Sequence, residues 1–291
     1  MERTLGGMAT METRPINVTC GQPTSWSDGP IRRIAVGMAP VLLLYVAYSL
    51  VRWLVRTRGP IDGIRNARDV LDLERRLGLD WEHELQRVSL PHELLITAAN
   101  WYYLAGFLPV ILSLAALSAL RVPEAFRRWR RVFAVTLLMA LVGFVLFPLA
   151  PPRMLPSNEG FVDTLVAYGP RYYGDAAGES LFNGYGAFPS LVNVYAAMPS
   201  MHVAWSGIAG ALLVASLPGS RLALVAGILH PTLMGVVVLV TANHYVLDVV
   251  IGVVVLGVGV GAVMVFDWAR SALVTVGGRI EVRRGVASGM G

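Results

Sequence analysis

The chain has 291 residues, of which 55% are hydrophobic and only 15% are charged, and its mean hydropathy is +0.59. This balance excludes an ordinary soluble domain and predicts an integral membrane protein. The formal net charge is +5, and the arginines flank the apolar runs, so we attribute the charge to anchoring and orientation in the membrane and expect no nucleic-acid partner. The single cysteine, Cys20, excludes an intramolecular disulfide and a multi-cysteine metal site.

The N-terminal segment, residues 1–33, is rich in Gly, Thr, Ser and Pro and has no apolar core. We expect it to be disordered and cytoplasmic. The apolar run that follows at 34–55 is longer than the roughly 7–15 residues of a signal-peptide core, so we interpret it as a retained membrane span.

Six apolar runs are long enough to be spans, since crossing the hydrocarbon layer takes about 20 residues. The second run is the weakest, because NWYY at 100–103 interrupts it with polar and aromatic groups. The runs cover residues 34–55, 94–120, 131–149, 199–217, 221–241 and 244–266. We therefore predict an all-α, polytopic membrane protein in which residues 34–266 form a bundle of six transmembrane helices.

Arginine in the short loops predicts the orientation of the bundle. Residues 121–131 carry five Arg against one Glu, and the C-terminal tail at 267–291 carries four Arg against two acids. Because positively charged short loops stay in the cytoplasm, both segments are predicted to be cytoplasmic. Segments 56–93 and 150–198 then lie on the opposite, extracytoplasmic side.

The two outer segments differ in pattern. Segment 56–93 holds seven Arg and eight acids with apolar residues near helical spacing, which predicts an amphipathic helix on the membrane surface. Segment 150–198 is rich in Gly, Pro and aromatic residues and has too little apolar length to span. We predict that it forms a long extracytoplasmic loop that caps the bundle. The apolar residues of the first segment are Ile64, Leu71, Leu77, Leu85 and Val88.

Polar side chains from distant parts of the chain are predicted to meet at the extracytoplasmic end. His202 lies in the first turn of the fourth span, His244 at the start of the sixth, and Arg153 just past the third. Asp248 follows His244 by four residues, so on one helix the two side chains share a face. A carboxylate there fixes the histidine tautomer and leaves the other ring nitrogen nucleophilic, and an unpaired ionisable residue inside a span is costly.

The starts of the fourth and sixth helices add groups that bind anions. Ser200 and Asn243 are predicted N-caps. They direct the free backbone amides and the positive dipole ends of both helices to the outer surface, where such ends bind phosphate. Arg153 adds a planar cation suited to two phosphate oxygens.

Phosphoryl transfer is the reaction that these groups favour. In it His244 attacks phosphorus, Asp248 orients the imidazole, His202 protonates the leaving oxygen and Arg153 stabilises charge. The reaction requires no metal and no cofactor. An alternative, in which the two histidines are axial ligands of a haem, leaves Asp248 and Arg153 without a role.

Two motifs resemble those of a known family. MPSMH resembles the PSxH signature, and HYVLD the HxxxD signature, of the type-2 phosphatidic acid phosphatase superfamily. The contexts FPLAPPRMLP, GFVDT, NVYAAMPSMHVAW and TANHYVLDVVIG are similar to its branch of inositol phosphorylceramide synthase and sphingomyelin synthase relatives. The resemblance implies a six-helix fold and a phospholipid or lipid-phosphate substrate. It also implies a phosphohistidine on His244, with Asp248 as partner, His202 as general acid and Arg153 as phosphate ligand.

The chain departs from the superfamily's phosphatase pattern at four positions. Leu146 stands where the first signature has lysine, and Met154 stands where it has proline. Val237 and Val238 replace the Ser and Arg that precede the histidine of the third signature. These departures favour the transferase-like branch, and Arg171 is a candidate for supplying the missing arginine to the phosphate.

Alternatives stay open. With water as acceptor the enzyme is a lipid phosphate phosphatase, and a protein that only binds or moves a phosphorylated lipid uses the same cationic site without turnover. His83, His92 and His230 are interpreted as structural, the last because it adjoins Pro231, where a kink and a buried hydrogen bond suffice. LERRLGLDWEHELQ at 73–86, followed by NWYY at 100–103, also resembles the region that precedes this core in bacterial members, which favours the bacterial plasma membrane. The oligomeric state is left open.

Overall fold

The computed structural model describes residues 59–168 and 195–288, together with 38–39, 42–43, 46–47 and 49–50. Within these ranges the chain is α-helical and contains no β-strand, which confirms the predicted class. The helices are α1 Gly59–Leu77, α2 Trp81–Ser89, α3 Glu93–Ala105, α4 Leu108–Arg121, α5 Pro123–Leu146, α6 Thr164–Tyr168, α7 Met201–Ser216, α8 Arg221–Val240 and α9 Val246–Ser288. Two 3-10 turns, Pro152–Met154 and Ser157–Glu159, lie between α5 and α6.

Up to four apolar units of the described chain are long enough to cross a membrane. α5, α8 and the Val246–Leu273 part of α9 pass individually, and α3 with α4 passes as one span bent by 42°. α7 is apolar but has only 16 residues. These helices indicate an integral membrane protein. The count of six spans stays a prediction, because most of the run at 34–55 lies outside the described residues.

The bend between α3 and α4 has a local cause. Gly106 is the C-cap of α3, and α4 carries Pro109 in its first turn. Proline has no amide hydrogen to donate and is tolerated in the first turn of a helix, so a new helix begins there instead of the first continuing. The residues NWYY at 100–103 are themselves helical, and the break follows them.

α7 is the helix against which α4, α5, α8 and α9 pack. Ala204, Ile208 and Leu212 lie on its buried surface within the largest apolar cluster of the described chain. α7 and α8 come very close at Gly210 and Gly227, where a Cβ added to Gly210 would overlap the Gly227 carbonyl oxygen. Small residues of this kind allow helix backbones in membranes to approach. The crossing therefore fixes where α7 begins relative to the end of α8.

The predicted amphipathic segment at 56–93 folds as two helices, α1 and α2, rather than one. Gly78 has a φ of +67° and follows the end of α1, in the left-handed conformation that glycine favours. The helical register is therefore interrupted. Of the expected apolar positions Leu71 is fully buried, whereas Leu77 and Val88 are exposed. α1 contacts α9, and α2 contacts α8.

The chain between α5 and α7 brings its two ends together. The Leu149 N–H donates to the Tyr195 carbonyl at 2.9 Å, and the Ala197 N–H donates to the Leu149 carbonyl at 3.2 Å. The end of α5 and the segment before α7 therefore lie side by side. Residues 169–194 of the predicted long loop lie outside the described part of the chain.

The opposite ends of α5 and α9 form a surface that we call the arginine end. α9 continues to Ser288, so the predicted tail from residue 267 extends the last helix. α5 has 24 residues, which corresponds to about 36 Å and separates this surface from the loop after α5 by one membrane thickness. The paired side chains of the arginine end are Glu124, Arg127, Arg128, Arg131 and Asp267.

Candidate active site

Two histidines from distant segments are in direct contact. His202 is the second residue of α7, and His244 lies two residues before α9. Nδ1 of His202 is 3.2 Å from Nε2 of His244, and the ring centroids are 5.4 Å apart. The sequence predicts both histidines at one end of the bundle, and the structure places them there together. This direct contact does not favour the haem alternative, which puts a porphyrin between the rings.

Asp248 contacts the other side of the His244 ring, with Oδ2 of Asp248 lying 3.2 Å from Nδ1 of His244. The predicted pairing is present, but helical spacing is not its cause, because His244 precedes α9. The same Oδ2 accepts the backbone N–H of Tyr245 at 3.0 Å, as the acidic residue of a capping box does. Asp248 therefore folds back over the start of its own helix and meets His244 there.

The hydrogen bonds assign the ring protons of this pair. Because an ionised carboxylate only accepts, Nδ1 of His244 donates to Asp248, and Nε2 of His244 carries the lone pair. Nδ1 of His202 then donates to that lone pair. The nitrogen of His244 that is free to act as a nucleophile therefore points at His202.

Aromatic rings from the bent α3–α4 unit contact His202. Tyr103 stacks on it with a centroid distance of 4.6 Å and an interplanar angle of 27°, and Phe107 lies at 4.2 Å and 40°. Phe107 also stacks on Trp205, which follows His202 by three residues on α7. NWYY, to which the sequence assigns no place in the site, thus supplies one ring to it. Aromatic residues beside a broken span are the sequence signal for this contact.

Arg153 lies beside the two histidines in the 3-10 turn after α5. Its backbone N–H donates to the Ala242 carbonyl at 3.0 Å, which joins this turn to the segment before α9. Its side chain is only 6% exposed and forms an ion pair with Asp163 at 3.1 Å. The guanidinium is close enough for its charge to act on both His202 and His244. We call the set of Arg153, His202, His244 and Asp248 the histidine end.

Asp163 is a residue of the site that the sequence reasoning missed. Its Oδ1 atom accepts the backbone N–H groups of Leu165 and Val166 at the start of α6, and its Oδ2 atom accepts from Arg153. The carboxylate therefore orients both a short helix and the arginine. The pattern Asp-Thr just before an apolar pair, in GFVDTLV, is a signal for a capping acid.

Two buried amides fix the segment that carries Asp163. The Gln86 side chain forms two hydrogen bonds of 2.9 Å with the backbone of Val162. Asn100 donates to the Thr164 carbonyl at 2.7 Å and accepts from the Thr164 hydroxyl at 2.9 Å. Residues from α2 and α3 thus hold the loop in place, and Arg153 with it.

The predicted phosphate ligands have different environments. Ser200 is at the N-cap position of α7, but its side chain makes no capping hydrogen bond, and in the described chain its buried hydroxyl has no partner. Asn243 is not the N-cap of α9, which begins at Val246, and its Nδ2 donates to the Thr241 hydroxyl at 2.7 Å. Arg171 lies outside the described residues.

At the start of α9, which the sequence predicts to present free amides to phosphate, two backbone N–H groups already have acceptors. The Leu247 N–H donates to Oε1 of Glu74 at 2.6 Å, and the Tyr245 N–H donates to Asp248. Carboxyl groups of the protein itself therefore satisfy these two amides. The start of α7 is the helix terminus that remains a candidate for binding phosphate.

The departures from the family pattern have structural counterparts. Val238 is fully buried, and its carbonyl accepts the backbone N–H groups of Asn243 and His244 at 2.9 and 3.2 Å. A core residue thus stands where the phosphatase pattern has arginine. Leu146 is exposed at the end of α5, and Met154 completes the turn that holds Arg153.

The other histidines are in structural settings. The Tyr102 hydroxyl is 2.6 Å from Nδ1 of His230, which agrees with the expected hydrogen bond. His83 packs edge-on against Phe161 at 5.2 Å. His92 precedes α3 and makes no side-chain cap. In the described residues, no group of three or more His, Cys, Asp and Glu side chains is arranged to hold a metal ion.

Comparison with known proteins gives one finding. A family model described as the PAP2 superfamily matches residues 68–262, which is more than half of the chain. The matched region contains all four residues of the histidine end, together with Asp163. No curated protein and no solved structure matches the chain.

Proposed function

The chain belongs to the PAP2 superfamily, whose activities are of the lipid phosphatase and phosphotransferase type, and on that premise we propose that it is a lipid phosphotransferase with a phosphohistidine intermediate. The proposed reaction moves a phosphorylated headgroup, of the inositol-phosphate kind, from one lipid to a hydroxyl group of another. The similarity of the motifs to the inositol phosphorylceramide synthase branch supports this choice. We place the reaction at the extracytoplasmic face of a bacterial plasma membrane, on the strength of the arginine-rich loops at the other end.

One observation carries the proposal: Asp248, His244 and His202 form a hydrogen-bonded line beside the buried Arg153. The links are 3.2 Å each, from Oδ2 of Asp248 to Nδ1 of His244 and from Nε2 of His244 to Nδ1 of His202. A carboxylate, a nucleophilic imidazole, a second imidazole and a cation are the parts that a metal-free phosphoryl transfer needs.

In the first step, Nε2 of His244 forms a bond to phosphorus while the bond from phosphorus to the donor lipid's oxygen breaks. His202 enters this step as an imidazolium, because a neutral imidazole is too weak an acid, and gives its extra proton to that oxygen, which leaves as a lipid alcohol. Asp248 stabilises the positive charge that develops on His244, and Arg153 stabilises negative charge on the phosphoryl oxygens. The amides at the start of α7 add dipoles of the same sign as Arg153.

In the second step, a hydroxyl group of the acceptor attacks the phosphohistidine. Its proton goes to His202, the bond between phosphorus and Nε2 of His244 breaks, and both imidazoles return to their starting forms. The phosphoryl group has then moved from the donor to the acceptor, and the protein carries the same protons as at the start.

The resting contact between the histidines has a consequence for binding. The phosphoryl group must lie between Nε2 of His244 and the proton donor His202, where the two nitrogens are now 3.2 Å apart. Substrate binding therefore replaces the direct hydrogen bond and separates the rings. Tyr103 and Phe107, which pack on His202, would move with it or release it.

Turnover tests the proposal. Purified protein in mixed micelles would receive a labelled phospholipid, with and without an added alcohol, and lipid and water-soluble products would be separated. We expect headgroup transfer by the native protein, unchanged by a chelator, and no turnover by His244→Ala. His92→Ala is the matched control, because His92 is exposed before α3. Native-like turnover by His244→Ala would disprove the mechanism.

The products also show whether water or an alcohol is the acceptor. Release of inorganic phosphate or free headgroup phosphate alone, even with excess alcohol, identifies water as acceptor and a lipid phosphate phosphatase. Appearance of a new phospholipid identifies a transferase. Both results keep the phosphohistidine and change only the acceptor.

A second candidate function is binding or transport of a phosphorylated lipid without turnover. The buried Val238, in place of a phosphate-binding arginine, favours it. It predicts that a phospholipid analogue binds equally to native protein and to His244→Ala, and that no phosphoenzyme forms.

A further inference from the structure

Two glutamates behind the histidine end are fully buried. Glu74 on α1 and Glu82 on α2 each have 0% exposure. Glutamate is almost never fully buried without a partner. Within the described residues neither glutamate forms an ion pair, and the two carboxyl groups lie close enough to share a hydrogen bond with each other. The mechanism above gives them no role.

A backbone hydrogen bond joins Glu74 to the helix that carries Asp248. Oε1 of Glu74 accepts the Leu247 N–H at 2.6 Å, and Oδ2 of Asp248 accepts the Tyr245 N–H at 3.0 Å. α1 thus caps the start of α9 from outside, next to the amide that Asp248 caps from within. Loss of this outer cap leaves the part-buried Leu247 amide without an acceptor and frees the first turn of α9. Asp248 is the residue of that turn that contacts His244.

The pair is surrounded by groups that disfavour negative charge. Burial first, and then the charge of Glu82, raise the pKa of Glu74 to about 9. Burial also raises the pKa of Glu82. The titratable groups acting on the pair are Asp80 before α2, and Tyr245 and Asp248 at the start of α9. None of these is a cation, so Glu74 is a neutral acid at neutral pH.

The neutral form of Glu74 is compatible with its hydrogen bond to Leu247 and with its position beside Asp248. A neutral carboxyl accepts the Leu247 N–H through its carbonyl oxygen without adding charge beside Asp248. An ionised pair would place uncompensated negative charge next to the carboxylate that the mechanism needs, and repulsion would separate α1 from α9. Protonation of the glutamates and position of Asp248 are therefore coupled.

We propose that Glu74, supported by Glu82, is a positioning residue: from its buried place on α1, its carboxyl group holds the start of α9 so that Asp248 stays on His244. The inference rests on the proposed function, because the readout is the reaction of His244. It assigns a role to two buried acids, one on α1 and one on α2, that the mechanism leaves unused.

Two substitutions of Glu74 distinguish its role as a hydrogen-bond acceptor from its role as a titrating group. Glu74→Gln keeps a carbonyl oxygen for the Leu247 N–H and removes the titration, whereas Glu74→Leu removes the acceptor. Glu84→Gln is the matched control, because Glu84 is exposed on α2 and pairs with Arg87. Rates of headgroup transfer and KM would be measured from about pH 6 to pH 10, with the amount of phosphoenzyme as a second readout.

We expect Glu74→Leu to lose about tenfold or more in kcat with little change in KM, since a lost buried hydrogen bond misplaces Asp248 but not the lipid site. Glu74→Gln should keep native kcat at pH 7 and lose part of the native decline above pH 9. Native kcat in a folded Glu74→Leu, or an unchanged pH profile in Glu74→Gln, would overturn the inference. If Glu74→Leu does not fold, the profile of Glu74→Gln decides.

Unfolding measured against pH gives a readout that is independent of turnover. The folded pKa of Glu74 lies above its ordinary value of 4.5, so the folded state binds the extra proton from about pH 4.5 to about 9. The stability of the native protein should therefore fall as pH rises through this window, and Glu74→Gln should flatten the fall. Equal slopes would contradict the buried neutral acid. Absence of turnover in the native protein overturns the proposed function, and the positioning role falls with it.

Discussion

The histidine end and the arginine end both concentrate charged side chains, but their charges are held in different ways. At the arginine end, Arg131 pairs with Asp267 at 2.5 and 3.1 Å, and its side chain is 38% exposed. At the histidine end, Arg153 pairs with Asp163 at 3.1 Å with a side chain only 6% exposed. The two ion pairs are similar in length and differ in solvent access.

This difference in solvent access helps to distinguish charged residues that could take part in chemistry from those that only face solvent. Exposed ion pairs contribute little to stability, and arginines beside a membrane mainly anchor the protein and set its orientation. Buried charges are costly unless partners are supplied, and at the histidine end Arg153 pairs with Asp163, whose loop is held by residues of α2 and α3. A charged group supported by that many separate segments is the better candidate for chemistry.

The largest effect that distinguishes the two ends is expected for His202. His202→Ala should lower kcat about 10²- to 10⁴-fold, because it removes the proposed general acid. A lipid donor with a more acidic leaving alcohol should recover part of the loss, since it needs the proton less. Rates with two donors of different leaving-group acidity measure this. A loss equal for both donors would contradict the acid role.

The same substitution of one arginine at each end tests the comparison of the two ends directly. Arg153→Gln should lower kcat about 10²- to 10³-fold, since it removes a buried charge from the transition state. Arg131→Gln, the same change at the arginine end, should leave kcat within about twofold. Equal losses in the two variants, measured under the same conditions with folded protein, would remove the distinction between the ends.

A smaller effect is expected from packing alone. A Cβ on Gly252 would lie 2.5 Å from the backbone oxygen of Ser200, so Gly252→Ala should push α9 away from the start of α7 and lengthen the His202–His244 contact. We expect about a tenfold loss in kcat from this overpacking. Gly257→Ala on the same helix is the control, because nothing lies within 4 Å of its added Cβ. Similar activity in both variants would contradict the proposed dependence on this contact.

Much of the histidine end follows from the sequence. Counting apolar runs places His202, His244 and Arg153 at one end, because each span reverses the chain. Asp248 is identifiable by its spacing from His244, although the contact arises from a capping arrangement rather than from a helix face. Long apolar periodic segments and short motifs are the features on which sequence reasoning is most dependable.

The parts that sequence did not reveal depend on tertiary contacts. Glu74 and Glu82 belong to a segment with many charges, so an amphipathic helix is the natural interpretation, and burial follows only once α1 and α2 pack on α8 and α9. Asp163 lies in an aperiodic loop that Gln86 and Asn100 position. The start of α9 is shifted because the backbone of Asn243 and His244 turns onto the Val238 carbonyl first.

The most direct test of the central claim is to trap the intermediate. Native protein mixed with a phosphorus-labelled lipid would be quenched at alkaline pH within one turnover, digested, and mapped by mass spectrometry. The account predicts one acid-labile phosphorylated histidine, His244, which disappears when the acceptor alcohol is added. Label on another residue, or full turnover with no phosphohistidine at any time, would contradict it.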